Sequence, residues 1–332
     1  MKAFVIDRYK PADGGHLADV ADPRPGAGQV LVEVHAAGVN PLDVRTRSGE
    51  FKLFLRQHMP LILGNDVAGV VTAVGPAVSR FAVGDEVYAR AERAAGAFAE
   101  LIALDEDDVA AKPATSSMVE AASLPLVGLT AWQALVEIAA VQPDQRVFVE
   151  AGSGGVGTIA VQLAKHLGAF VATTASVANT ELVAGLGADV VVDYRRQDVT
   201  SVLDGYDVAL HNQDSKALDA AFRVLRPGGR LVSLSGPPDP TFADRIDAPW
   251  FVRPVFYAIS APALLRARRR KVRYRFLYVR ADGAQLTELA ALVDAGAIRP
   301  VIDQTFPFAA TGDALAAVEA GRSRGKVVVT LR

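Results

Sequence analysis

Residues 151–157 read Ala-Gly-Ser-Gly-Gly-Val-Gly, so Gly152, Gly154 and Gly157 hold the spacing Gly-x-Gly-x-x-Gly. That spacing suits a dinucleotide. The first glycine permits a tight turn, the second lets backbone approach a pyrophosphate, and the third lets a helix pack close to its strand. A helix opening there offers unpaired N–H groups and a partial positive charge to phosphates. The flanks agree. Val147–Glu150 reads as a strand, and Gly155–Leu167 reads as a helix with Ile159, Leu163 and Leu167 at helical spacing. Ser153, Gly155 and Val156 complete the loop and join the expected cofactor contacts.

The next strand bears on which nucleotide is bound. A ribose 2′-hydroxyl is usually held by Asp or Glu about 20 residues past the glycines. Here the strand Phe170–Thr174 runs into Ala175 and Ser176, and the first acid, Glu181, lies inside the following helix. No carboxylate stands ready to repel a 2′-phosphate, so NADPH is the expected cofactor. Ser176 and Asn179 are short polar residues placed to meet that phosphate. Tyr194 and Arg195, past the third strand, add a phenol and a cation. Each also suits an ordinary polar loop.

Other chemistries are narrowed by composition. The 332 residues contain no cysteine, which excludes disulfides, Cys-based zinc sites and thiol catalysis. The five histidines, His16, His35, His58, His166 and His211, show no paired spacing. Zinc needs three or four converging ligands, so no metal is expected. Lys and Arg number 35 against 37 Asp and Glu, a net charge of −2. That balance gives no bulk attraction to nucleic acid or membrane, and neither is expected as a partner. The basic run Arg266–Arg275 is a local exception. It reads as a solvated helix end, with RNA, an anionic substrate or a membrane surface as alternatives. Apolar runs are strand-sized or broken by Gly, Pro or charge, and the N-terminus lacks the apolar core of a signal peptide. A soluble cytoplasmic protein is expected.

A length of 332 residues suggests two domains at roughly 100–200 residues each. Residues 1–123 are rich in short strands: Ala3–Asp7, Gln29–Ala36, the glycine-punctuated Leu61–Gly75, Val83–Ala89 and Gly96–Leu104. Such a series suggests a small, partly open barrel. Val119–Leu124 and Thr130–Ala140 then read as helices. From Arg146 strands and helices alternate, with strands at Val190–Asp193, Val208–Asn212 and Arg230–Ser235 and helices at Thr180–Gly187 and Ser215–Leu225. This βαβ rhythm predicts a parallel sheet with helices on both faces. An aromatic stretch, Trp250–Tyr257, precedes the basic run; it suits either a cover over an apolar substrate or a buried helix face. Tyr274–Val279 reads as a strand, Gln285–Ala295 as a helix, and Ile298–Phe308, Asp313–Ala320 and Lys326–Leu331 as a strand–helix–strand tail.

Several motifs carry a resemblance over nearly the whole chain. They are AAGVNPLDVRTRSG at 36–49, PLILGNDVAGVV at 60–71, LPLVGLTAWQAL at 124–135, the glycine loop, ELVAGLGAD at 181–189 and GKVVV at 325–329. Together they resemble the zinc-independent medium-chain dehydrogenase/reductase superfamily. The subgroup they resemble is the zeta-crystallin-like quinone oxidoreductases and alkenal/enone reductases. The resemblance implies an α/β protein in two parts. A GroES-like β-barrel catalytic domain would span 1–123 and 275–332, and a doubly wound Rossmann domain binding NADPH would span 124–274. It also implies a homodimer through the edge strand near Tyr274–Val279.

Zinc-using members of that superfamily carry Cys at the position of Asn40 and His-Glu at Asn65-Asp66. Without a Lewis acid, reduction of a quinone or of the activated C=C of an enone or enal is expected rather than alcohol oxidation. The resemblance places Asn40 near substrate. Arg45 stands where relatives hold Tyr or Lys and suits an oxyanion rather than proton donation. Asn65 borders the same region or forms a turn. The resemblance also puts Thr130, the Ser235-Gly236 backbone and Lys326 near the cofactor. The chain departs from the usual Asp-x-x-Gly-Gly at 211–214, reading His211-Asn212-Gln213-Asp214; His211 and Asn212 are expected to border the cofactor. Two alternatives stay open: an enoyl-thioester reductase, and a nucleotide-binding sensor with little catalysis.

Overall fold

The computed structural model describes residues 1–9, 14–50, 52, 58–91, 96–246 and 250–332. It divides into two units, Met1–Leu129 with Arg280–Arg332, and Thr130–Val279. The divisions fall later than the expected 123/124 and 274/275. Leu126 N–H is held by Asp66 Oδ1 at 2.7 Å, which keeps it with the first unit. A cut at 275 would split a strand whose Arg275 and Phe276 pair with Val232 and Ser233.

The first unit is β-rich. Its strands are β1 (Lys2–Ile6), β2 (His16–Asp19), β3 (Gln29–Val39), β4 (Leu61–Ile62), β5 (Asp66–Val74), β6 (Glu86–Arg90), β7 (Leu101–Asp105) and β8 (Val109–Ala111). The long strand β3 organises them, pairing antiparallel with both β5 and β7. Val30, Val32 and Val34 alternate inward along it, as a sheet with one buried face demands. A register shift against β5 between Val34 and Ala36 ends that alternation, and Ala36–Val39 are all buried. The inward valines join Phe4, Ile6, Leu63, Phe98 and Ile102 in one apolar core.

The second unit holds a parallel sheet of β9 (Arg146–Val149), β10 (Phe170–Ala175), β11 (Val190–Asp193), β12 (Tyr206–His211), β13 (Leu225–Ser233) and β14 (Arg273–Phe276). Their spatial order is β11-β10-β9-β12-β13-β14. This is the doubly wound Rossmann order, and the connection direction reverses between β9 and β12. Ligands bind beyond the strand ends at such a reversal. The tail returns to the first unit as β15 (Ile302–Pro307) and β16 (Lys326–Thr330), and β16 pairs with β3.

The aromatic stretch and the basic run form one element. After a turn at Trp250–Val252, an 18-residue helix spans Arg253–Arg270 despite Pro262 in its interior. Phe256, Ser260, Ala263 and Ala267 are its buried stripe. Trp250, Phe251, Tyr257 and Leu265 face solvent, and Arg268–Arg270 occupy the last turn.

Candidate active site and nucleotide loops

From β9 the chain turns through Ala151–Gly154 into the helix Gly155–His166. The turn is strapped to the end of β10. Ala151 N–H donates to Thr174 Oγ1 at 2.9 Å, and Gly152 N–H donates to Thr174 O at 3.0 Å. The glycines then divide by what surrounds them. A Cβ on Gly152 would lie 2.2 Å from Thr173 Oγ1, and one on Gly157 would lie 2.2 Å from Ala151 O. The fold itself demands those two. A Cβ on Gly154 would meet only Ala151 O, at 3.4 Å. Packing requires little there, and glycine leaves open the space that an approaching pyrophosphate needs. Ser153, Gly155 and Val156 around it are partly exposed.

Asn179, at the turn past β10, is tied to this loop, its Nδ2 donating to Ser153 Oγ at 3.1 Å. Its Oδ1 is buried and has no partner. A buried polar atom left alone is costly, and a ligand hydroxyl reaching this one would satisfy it. Ser176 precedes the turn Val177–Asn179 and is partly exposed. Past β11, Arg195 Nε donates to Tyr194 OH at 3.3 Å. No carboxylate among the described residues forms an ion pair with Arg195. These residues fit a dinucleotide: an open turn, a helix N-terminus, a free amide end and a cation.

Sequence reasoning missed Glu150. It follows β9 directly and is 3 % exposed. Its Oε2 accepts the backbone N–H of Asn212 at 3.2 Å, across the reversal between β9 and β12. Burial pushes this carboxyl up to about 8, against the lowering effect of the Asn212 and Gln213 backbone N–H groups. The legible signal was an acid closing an otherwise apolar strand, directly before the glycine loop. His211 is fully buried beside it, with Nε2 4.0 Å from Glu150 Oε2. His211 Nε2 lies 3.0 Å from Asp214 O, a carbonyl that only accepts, so Nε2 carries the proton. Nδ1 then accepts from Ser233 Oγ at 2.7 Å, and burial lowers the imidazole's pKa. Ser233 Oγ in turn accepts the Gly236 N–H at 2.8 Å. Ser235 Oγ donates to Gln213 O. His211, Asn212 and Ser235 thus meet at the ends of β12 and β13, the His211 ring wholly inside. Thr130 is buried within the same unit.

In the first unit the structure gathers Asn40, Asp43, Asn65, Asp66 and Lys326. Asn40 precedes Pro41, the first residue of the helix Pro41–Ser48, a position that suits proline's fixed φ and missing N–H. Asn40 N–H donates to Asp43 Oδ2 at 2.8 Å, and Asn65 Nδ2 donates to Asp43 Oδ1 at 2.6 Å. Burial pushes the Asp43 carboxyl up to about 7, with both hydrogen bonds opposing. Asn40 Nδ2 donates to Asp66 Oδ2 at 2.9 Å. The Lys326 ammonium lies 2.5 Å from Asn40 Oδ1, 3.0 Å from Asp66 Oδ2 and 3.2 Å from Val39 O. Asn40 is fully buried and both ends of its amide are engaged. Arg45 stands apart, about half exposed, with Nε 3.8 Å from Glu50. Lys326, expected among the cofactor contacts, spends its ammonium inside this cluster.

The same cluster does not fit zinc. The positions that would supply Cys and His hold amides, and an ammonium fills the place of a cation. Among the described residues no three His, Asp or Glu side chains converge to hold a metal.

Family comparisons agree with this architecture. The alcohol dehydrogenase GroES-like domain matches residues 26–114, and the zinc-binding dehydrogenase family matches residues 186–329. The chain is 34 % identical to the mitochondrial NAD(P)H oxidoreductase RTN4IP1 of Danio rerio, covering 100 % of this chain and 91 % of that one. It is also 34 % identical to the chloroplastic NADPH-dependent alkenal/one oxidoreductase of Arabidopsis thaliana, covering 99 % and 79 %. The structure of the quinone oxidoreductase from Coxiella burnetii superposes with a TM-score of 0.88 at 29 % identity, covering 100 % and 99 %. With its barrel-type and Rossmann units both matched along their length, the chain belongs to the medium-chain dehydrogenase/reductase superfamily, in the subgroup of quinone oxidoreductases and alkenal/enone reductases.

Proposed function

We propose that this protein is an NADPH-dependent, zinc-independent reductase of quinones or of the activated C=C bond of α,β-unsaturated carbonyls. The observation that carries the reading is the open cradle at Gly154, with no acid at the end of β10 and with Arg195 past β11 in no ion pair among the described residues. Gly152–Gly157 would hold the pyrophosphate, Asn179 the ribose, and Ser176, Tyr194 and Arg195 the 2′-phosphate. When bound, the cofactor supplies a hydride.

The chain's own task is to orient donor and acceptor and to stabilise charge on the acceptor oxygen. Arg45, the exposed cation of the first unit's candidate set, is the proposed oxyanion partner, while Asn65 is proposed to hold Asp43 in the buried cluster. Because guanidinium keeps its proton, the final proton comes from solvent. Asn40 is proposed to hold Asp66 and Lys326 in place. Replacement of the Cys and His of zinc-using relatives by Asn40 and Asn65 supports the zinc-independent reading.

We also propose a homodimer. Strand β14 ends the six-stranded sheet, and among the described residues its outer edge pairs with no strand, which leaves backbone groups free to pair with another chain. The strand is shorter than expected, Arg273–Phe276 rather than Tyr274–Val279. No described helix is long and apolar enough to cross a membrane. The expected cytoplasmic placement draws no support from relatives that are themselves mitochondrial or chloroplastic.

Fluorescence titration tests the cofactor assignment. NADPH should bind at least about tenfold more tightly than NADH, the worth of one charge-assisted contact to the 2′-phosphate. Equal affinities, or tighter NADH binding, would refute the 2′-phosphate site.

A further inference from the structure

The helix Arg253–Arg270 carries a face that the fold leaves uncovered. Its residues 254–265, PVFYAISAPALL, include no charged side chain. A helix apolar on every side is normally buried. Over these turns only the stripe of Phe256, Ser260 and Ala263 is buried. Val255, Tyr257, Ile259 and Leu265 stand exposed, and so do Trp250 and Phe251 in the turn that leads into the helix. Trp250 is 82 % exposed. Single apolar residues scattered on a surface need no account, but a group gathered on one element marks an interaction site.

The other end of the same helix is cationic. Arg268, Arg269, Arg270, Lys271 and Arg273 are exposed, and none of them forms an ion pair among the described residues. Their neighbours on either side are paired, Arg266 with Asp219 at 3.4 Å and Arg275 with Asp239 at 3.8 Å. A helix C-terminus attracts cations to its last turn. That accounts for the three arginines there, but not for Arg273 or for the bare apolar turns before them. Between Asp247 and Asp282 the sequence holds no acid. A second copy of this segment therefore brings the cations no counterion. A nucleic acid brings anions, but it is held by phosphate contacts and base stacking, which leave the aliphatic Val255, Ile259 and Leu265 uncovered. A bilayer of acidic lipids supplies both kinds of partner. Trp250 and Tyr257 carry a polar N–H or O–H on an apolar ring, the side chains that settle at a membrane interface.

We propose that this helix and the turn before it dock the protein on an anionic lipid surface. The apolar turns enter among the headgroups, and the five cations meet lipid phosphates and carboxylates. Polarity is divided along the axis, so a helix of 18 residues, about 27 Å long, presents both zones to one surface. The association is peripheral, since no described helix is long and apolar enough to cross a membrane. The near-neutral balance of the whole chain does not oppose it, because salt screens charges more than about 10 Å from the lipid. The inference stands on this helix and does not depend on the cofactor reading.

The test is co-sedimentation of the full chain with vesicles of phosphatidylcholine alone and of phosphatidylcholine mixed with phosphatidylserine. The wild type should pellet with the mixed vesicles at low salt, be released at high salt, and stay in solution with phosphatidylcholine alone. Arg268→Gln/Arg269→Gln/Arg270→Gln should bind the mixed vesicles about a hundredfold more weakly, at about fivefold per cation. Trp250→Ser/Phe251→Ser should bind at least about tenfold more weakly through lost apolar burial. These side chains are exposed, so both variants should melt close to the wild type. Failure of the wild type to pellet with the mixed vesicles overturns the inference, as does equal binding to phosphatidylcholine alone. Wild-type affinity in Trp250→Ser/Phe251→Ser reduces the contact to charge attraction and overturns the docking helix. A dimer turned into a monomer by that variant, with no vesicle binding by the wild type, overturns it in favour of a second copy. Binding to a single-stranded RNA homopolymer, with none to vesicles, overturns it in favour of nucleic acid.

Discussion

Removing the Lys326 ammonium would leave Asp66 fully buried without its counterion. Breaking such a buried pair from one side costs about 3–5 kcal/mol, far more than the pair contributes when intact. Lys326→Met is therefore expected to lower unfolding free energy by about that amount in urea titration. A loss within the range of a surface substitution would show that the Asn40 and Leu126 N–H groups hold the Asp66 carboxylate without the ammonium. Asp43 gives a second prediction at this scale. Its unfolded carboxyl titrates near 3.8 and its folded one at about 7, so between those values the folded state holds the extra proton. That contribution to stability is full below the unfolded value and is lost as pH rises through about 7. Asp43→Asn removes the titration, so its stability should fall less than that of the wild type over this window. Parallel slopes would mean that Asp43 is ionised throughout. None of this cluster was legible as a unit. Asn40 and Asn65 stood out by resemblance, but contacts between residues 40 and 326 are set by the β3–β16 pairing, which no local pattern records.

Elements were more legible where one face is buried and the other wet. The helix Gly155–His166 and the strands Arg146–Val149, Phe170–Ala175 and Val190–Asp193 lie close to where periodicity placed them, whereas β13 starts five residues before the expected Arg230 and β14 ends three before the expected Val279. Strand β2 escaped notice because His16–Asp19 is largely exposed and polar, held only by pairing with β1. The helix Arg253–Arg270 was read as two separate features, because Pro262 and outward apolar residues hide its narrow buried stripe. The glycine loop allows a test that separates fold from ligand. Gly157→Ala should destabilise the protein by about 1–3 kcal/mol, since its Cβ meets the Ala151 carbonyl. Gly154→Ala should change stability by less than about 0.5 kcal/mol yet weaken NADPH about tenfold. Thermal melts with and without NADPH would read both effects. Equal destabilisation by the two variants would remove the cradle argument. In the loop past β11, Arg195→Glu should weaken NADPH about tenfold and leave NADH unchanged. An equal effect on both cofactors would place Arg195 away from the 2′-phosphate.

At the scale of the molecule, two units with separate tasks are joined in one chain that leaves the β-rich unit at Leu129 and returns at Arg280. Short strands over residues 1–123 and the βαβ rhythm after Arg146 made the two-part α/β fold legible. The acceptor is less legible, because apolar substrates are selected by shape rather than by a charged motif. The proposed homodimer predicts a concentration-independent dimer in sedimentation at micromolar protein; a monomer throughout would leave β14 as a free edge. The most direct test of the account is steady-state oxidation of NADPH by zinc-depleted protein. The acceptors would be a benzoquinone, a naphthoquinone, a 2-alkenal, an enone and an enoyl thioester, each with an NADH control. The account predicts turnover on a quinone, alkenal or enone, with NADPH strongly preferred and activity unchanged by chelation. Turnover confined to the enoyl thioester, loss of activity on zinc removal, or tight NADPH binding with no turnover on any acceptor would contradict it.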